Sequence, residues 1–404
     1  MTAQERATFD IAARKQWNLR GLSVLSFAHG ANDLFSGMVP LLIFTVVAAH
    51  GLSPVYQGFI GFLWYLTSSI VQPLFGLYSD ARGRWWFLPA GVLLGVAGVS
   101  FAGLAPTVAL LGLMIVIGGI GSAVMHPEAG KYSAMLSGSR KGGGISIFQI
   151  GGALGFALGP IVISHLIDRF GARGSVVMLA PGLLAAAFLF ATMRRVDFAA
   201  VRHHGTENNA GAATQTVVDR PGVSLLVAST AFRYLVTAAF MTYLPNLVAV
   251  RGGSIVAAGE IVTAFLAVGA IGLFAGGYLG DRFGALRVSI VSLLLAVPCL
   301  YGFFIENNAF GMASLLLASV LLNVQSAPGV VIVQRMLPRN LGMALGLMNG
   351  VAFGIGSALV AIAGFVVASG GPQLALELVS LLPVLCALAY VVVAIRGPKA
   401  LSNA

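Results

Sequence analysis

Apolar runs long enough to cross a lipid bilayer recur along the whole of this chain. Read between charged or Pro/Gly breaks, they predict twelve helices, near 20–48, 55–79, 86–104, 107–132, 144–167, 174–193, 223–250, 255–280, 286–304, 309–334, 342–369 and 373–395. A helix of roughly 20 apolar residues spans the hydrocarbon core, and a helix satisfies its own backbone hydrogen bonds there. Composition agrees: 9% of residues are charged, whereas soluble domains carry about a quarter. The expected class is an all-α integral membrane protein. The polar stretch "MTAQERATFDIAARKQWNLR" lacks a small-residue cleavage site before the first run, so that helix is expected to be retained.

The net charge of +10 raises the possibility of a nucleic-acid partner, but the 23 Lys and Arg are spread over many short loops instead of one patch. Their distribution orients the chain. With both termini inside, only Arg169, Arg173 and Arg251 fall outside and Arg233 falls within a helix, leaving nineteen of the 23 in inner segments. The positive-inside rule then places both termini in the cytoplasm. Cys299 and Cys386 lie in apolar runs without metal-ligand spacing and are expected to be small core residues.

The chain repeats itself. "GLYSDARGR" (76–84) matches "GYLGDRFGA" (277–285), and "FQIGGALG" (148–155) matches "LMNGVAFG" (347–354). Two six-helix halves in the same orientation follow, 1–195 and 222–404, joined by the hydrophilic linker 196–221.

Against this apolar background a few polar groups stand out. In the first helix Ser26, His29, Asn32, Asp33 and Ser36 form one stripe at helical spacing. A charged carboxylate at mid-membrane costs about 3 kcal/mol on insertion scales. Asp33 and His29 are therefore candidates for proton coupling, the alternative being a packing hydrogen bond between them. In the fourth helix Pro127 is expected to kink "MHPEAGK". Glu128 is a third proton-coupling candidate, with an ion pair to Lys131 as the alternative. His126 is two residues away and must face a different side. Arg233 in the seventh helix needs an anion, either Asp33 or an anionic substrate. With it, Asn32, Trp64, Ser68, Gln72, His126, Gln149, Tyr234, Asn323 and Asn349 offer hydrogen-bonding or aromatic groups from both halves, as a midplane cavity requires. The glycines Gly151, Gly155 and Gly159 are spaced for close helix packing.

The halves, the inner linker and the loop residues Gly76, Asp80, Gly83 and Arg84 together resemble the major facilitator superfamily. The second copy keeps Gly277, Asp281 and Gly284 but has Ala285 in place of the basic residue. Within that superfamily, "SFAHGAND", "LTSSIVQP", "GSAVMHPEA", "SIFQIGGALGFALGP" and "LPRNLGMALGLMNGVAFGIG" resemble the fosmidomycin-resistance efflux proteins. The resemblance implies twelve helices in two pseudo-repeated bundles, alternating access, and a cytoplasmic gate at Gly76, Asp80, Gly83, Arg84 and Asp281. The glycine-rich helix ending in Pro160 resembles the antiporter motif, without its trailing glycine pair.

These features point to a secondary transporter in the bacterial inner membrane: a monomer that exports a small anionic drug or metabolite in exchange for protons. The alternative is proton symport of an organic acid or sugar-like metabolite, which the same helices would serve. No HExxH, CxxC, P-loop or clustered His/Asp metal set is visible in the sequence. Neither an enzyme, a metal centre nor a cofactor is therefore expected, and the short linker leaves no room for a signalling domain.

Overall fold

The computed structural model describes residues 18–82, 84–138, 141–194, 219–305, 308–337 and 341–397. The expected linker therefore lies almost wholly outside the described residues, as do Gly83 and the side chain of Asp80. The remainder is helical. Among the described residues, nine helical runs are long and apolar enough to cross a membrane. Two of them, Gly143–Met193 and Met343–Arg396, are long enough to cross twice, and the shorter apolar helix Phe87–Ala102 supplies one further crossing. The architecture is that of twelve helices in two pseudo-repeated bundles.

The first bundle comprises α1 (Leu19–Ala49), α2 (Pro54–Tyr65, a π turn Leu66–Ile70, then Gln72–Arg82), α3 (Phe87–Ala102), α4 (Val108–Leu136), α5 (Lys141–Phe170) and α6 (Leu179–Met193). The second comprises α7 (Arg220–Val250), α8 (Ile255–Phe283), α9 (Ala285–Ile305) and α10 (Ala309–Val324 and Ser326–Met336). Its α11 begins with Leu341–Leu345, a π turn Gly346–Val351 and Ala352–Ala358. The run Val360–Val379 turns at Gly371, so its first part completes α11 and its second part leads with Leu382–Arg396 into α12. The repeat extends to these turns: Gly171, between α5 and α6, and Gly371 both take positive φ, at 64° and 86°. Glycine accepts that conformation without a Cβ penalty.

The π turn of α2 has local causes. Pro73 has no N–H to give to the Ser69 carbonyl, and Val71 N–H bonds back to Leu66 O at 3.0 Å. Thr67 Oγ1 also donates to Leu63 O at 2.8 Å, which competes with the backbone ladder. In α4 the helix continues through Pro127.

Small residues set the packing inside each bundle. On α5, Gly151 and Gly155 lie so close to α1 that a Cβ on either would come within 2.0 Å of a backbone oxygen of Ser26 or Gly30. In the second bundle Gly272 and Gly276 hold α8 against the α10 backbone in the same way. Lipid offers no hydrophobic drive for helix association, so close van der Waals contact of this kind holds such bundles together.

The bundles meet through α2 with α11, α5 with α8 and α1 with α7. Their tightest contacts lie at the end remote from the chain termini. There Ile161 N–H donates to Thr263 Oγ1 at 3.0 Å, and Gln57 Nε2 donates to Thr242 O at 2.5 Å. Gly259 abuts Ser164 and Pro160, and Gly364 faces Pro54. Toward the other end α2 and α11 diverge around an open cavity of about 490 Å³, lined by Gln72, Gly76, His126, Gln149, Gly350 and Ile355 among others.

Candidate functional site

The polar stripe of α1 converges with α4. Asp33 Oδ2 lies 3.2 Å from His29 Nε2, one helical turn earlier. Asp33 Oδ1 lies 3.3 Å from His126 Nε2 on α4. Asn32 Nδ2 donates to Asp33 Oδ1 at 3.0 Å and to Ser122 Oγ at 3.2 Å. His126 thus joins the carboxylate of α1, a pairing invisible in sequence because the two positions lie on different helices. The side chains of Asp33 and His126 keep 16% and 23% of their exposure, so the cluster is reached from the cavity that His126 lines.

The outer ring nitrogens of both histidines are already committed. His29 Nδ1 lies 2.9 Å from Phe148 O, and His126 Nδ1 lies 2.8 Å from Ser122 O. A carbonyl only accepts, so each Nδ1 carries the hydrogen and donates it. In a neutral ring Nε2 then presents a lone pair, and both lone pairs point at carboxylate oxygens. Acceptor faces acceptor on each axis unless a positive charge lies between them. Phe148 fixes the His29 ring by stacking at 4.1 Å between centroids, and the two imidazoles meet edge to face at 5.0 Å.

Glu128 is elsewhere. It is fully buried, accepts a hydrogen bond from Ser79 Oγ, and lies 3.3 Å from Lys131 Nζ. Lys131 also donates to Ser79 O at 3.0 Å. These bonds tie α2 to α4 beside the Asp80 loop, the ion-pair alternative foreseen for Glu128. His126 and Glu128 do face different sides of α4, as their spacing requires.

In the second bundle Arg233 is 1% exposed, and its bonding partner is Asn323 Oδ1, a long contact at 3.4 Å. Its guanidinium carbon sits 4.0 Å from the centre of the Tyr234 ring, and its Nε has no partner. The pairing of Arg233 with Asp33 weighed from sequence is not formed, since the Asp33 carboxylate faces histidines of its own bundle. Beside Arg233 a row of aromatic rings crosses from the second bundle to the first. Phe353 of α11 meets Tyr234 edge to face at 5.0 Å and Tyr65 of α2 at 6.0 Å. Tyr65 stands in sequence beside the polar groups Thr67, Ser68 and Ser69, whereas Phe353 sits within an apolar run and only the fold marks it.

The other expected groups divide. Gln72 and Gln149 line the cavity with Gly76. Ser68 is buried, with its Oγ 3.3 Å from that of Ser69. Trp64 is buried in the first bundle's core beside Gly118. Asn349, Arg84 and Asp281 are exposed near the open end.

The description of the Major Facilitator Superfamily matches residues 25–225 and 226–404. The chain belongs to that family. It is 28% identical over 382 residues to the uncharacterized MFS-type transporter YfnC of Bacillus subtilis (strain 168), covering 91% of each chain. To the fosmidomycin resistance protein of Escherichia coli (strain K12) it is 27% identical over 370 residues, covering 90% of each. Among solved structures, a bacterial homolog of the human lysosomal transporter Spinster, in an inward-facing and occupied conformation, superposes with a TM-score of 0.78 at 17% identity. That match covers 95% of this chain and 98% of the other. The chain is thus a multi-pass membrane transporter of small molecules, and it is not an enzyme.

Proposed function

We propose that this transporter exports a small anionic compound in exchange for protons, as a monomer in the bacterial inner membrane. The observation that carries the reading is Arg233: a permanent cation, buried, with Nε unpartnered and, among the described residues, no carboxylate paired to it. An intramembrane charge of this kind marks a substrate path by default. Asn323 and Tyr234 would orient an anion there, and the 27% identity to a fosmidomycin resistance protein favours an anionic drug as one substrate.

Coupling is assigned to the cluster of Asp33, His29 and His126. A proton shared on one N–O axis relieves the facing lone pairs of that axis, and release of that proton restores their opposition. With the termini in the cytoplasm, the cavity opens inward, and the packed end of α2, α5, α8 and α11 closes the outer side. Loading of substrate from the cytoplasm, rocking of the bundles and proton entry from outside complete a cycle of alternating access. Glu128 with Ser79 and Lys131 holds the α2–α4 end that carries the gate residues.

The test is transport in proteoliposomes under an imposed pH gradient, with a panel of phosphonates, carboxylates and uncharged sugars. Accumulation driven by the gradient is expected for anions and is expected to weaken with R233A. Transport confined to uncharged sugars, or unaffected by R233A, would remove the anion reading.

A further inference from the structure

The opposition of lone pairs at Asp33 is a demand for positive charge, and a proton is not the only cation that meets it. We propose that His29 Nε2, His126 Nε2 and the Asp33 carboxylate form a binding site for a divalent first-row transition metal ion of the zinc class, open toward the cavity between the bundles. The proposal rests on donor geometry and does not depend on the proton-coupled reading.

The donor atoms suit such an ion. One ligating atom from each of the three residues lies within 4.8 Å of the others, and the two nitrogen–oxygen separations are 3.2 and 3.3 Å. A tetrahedral ion with bonds near 2.1 Å needs ligand atoms about 3.4 Å apart. Closing the remaining imidazole–imidazole distance takes small side-chain rotations, and His126 has room for them on the cavity side.

The surroundings are those of a built site. Each imidazole has its Nδ1–H held by a backbone carbonyl, Phe148 O or Ser122 O. The carboxylate is steadied by Asn32 Nδ2. Outer partners of this type fix the ring orientation and tautomer of metal-binding histidines. Three protein ligands leave a fourth position for water or an anionic group entering from the cavity. Two imidazoles select zinc, cobalt, nickel or copper, whereas magnesium and calcium prefer all-oxygen sites. His29 and Asp33 are one helical turn apart, but the third ligand comes from another helix. That separation leaves the set without a sequence motif.

The experiment uses the full-length transporter, purified in detergent and stripped with a chelator, titrated with Zn²⁺ and with Mg²⁺ by calorimetry. The expected result is one Zn²⁺ per chain, undiminished by excess Mg²⁺. H29Q and H126Q should each weaken Zn²⁺ binding by at least about tenfold. A double H203A/H204A variant, in the hydrophilic stretch outside the described residues, should leave it unchanged. Co²⁺ should give the visible absorption of a four-coordinate nitrogen–oxygen site, and H126Q should abolish it. If either histidine variant loses its monodisperse elution profile, D33N serves in its place with the same expected loss. Absence of stoichiometric Zn²⁺ binding would overturn the proposal. So would binding that survives H29Q, H126Q and D33N, or that disappears with H203A/H204A.

Discussion

The two bundles share one architecture but have placed opposite chemistry in their first helices. In α1 the central polar group is a carboxylate flanked by two imidazoles. In α7, near the matching position of the repeat, it is a guanidinium beside a tyrosine ring and an amide. In the proposed cycle the α1 cluster alternates between states by gaining or losing the positive charge that its facing lone pairs require. The α7 cluster has a fixed charge with no carboxylate paired to it among the described residues, and in the proposed cycle a substrate anion completes it. In the proposed function switching belongs to the first bundle and ligand capture to the second, and the ring contacts Tyr65–Phe353–Tyr234 cross the interface of the bundles.

This division can be broken by substitution. The largest effect is expected from D33N. It removes the carboxylate that both imidazoles face, and breaking such a buried pair costs about 3–5 kcal/mol. Gradient-driven transport should fall by at least about 100-fold, since each 1.4 kcal/mol is tenfold, as measured by substrate accumulation in proteoliposomes. Next comes R233A. A charge-assisted hydrogen bond contributes about 1.5–3 kcal/mol, so affinity for an anionic substrate should drop about 10- to 100-fold in direct binding. R233K should recover part of that affinity, because the charge survives while the planar fork is lost. N323A removes a single neutral partner worth about 1 kcal/mol and should weaken the same binding about fivefold. E128Q is expected to have the smallest effect on both readouts. Its partners Ser79 and Lys131 lie outside either cluster, and its cost should appear as a lower unfolding temperature. If E128Q matched D33N in transport, the separation of the acids into switching and scaffold roles would fail.

Much of this was legible in the sequence. Bilayer-length apolar runs dictate helices, and the repeated glycine–aspartate loops dictate two halves. The stripe from Ser26 to Ser36 on α1 was visible because one helix has one period. Glycine spacing on α5 predicted close packing, and α1 lies against those glycines. What the sequence left open depends on pairing between helices. His126 meets Asp33 across the α1–α4 contact, and no local pattern encodes that meeting. The same holds for Phe353, an unremarkable apolar residue until α11 places it between two tyrosines. The π turns of α2 and α11 were missed for a different reason: they follow from several weak local effects acting together.

The central claim is that Asp33 couples the cycle to a positive charge while Arg233 holds the substrate. One comparison tests it most directly: substrate counterflow without a gradient, beside accumulation under an imposed pH gradient, both for D33N in proteoliposomes. The account predicts that D33N retains counterflow but no longer responds to the gradient. Accumulation by D33N equal to that of the wild type would contradict it.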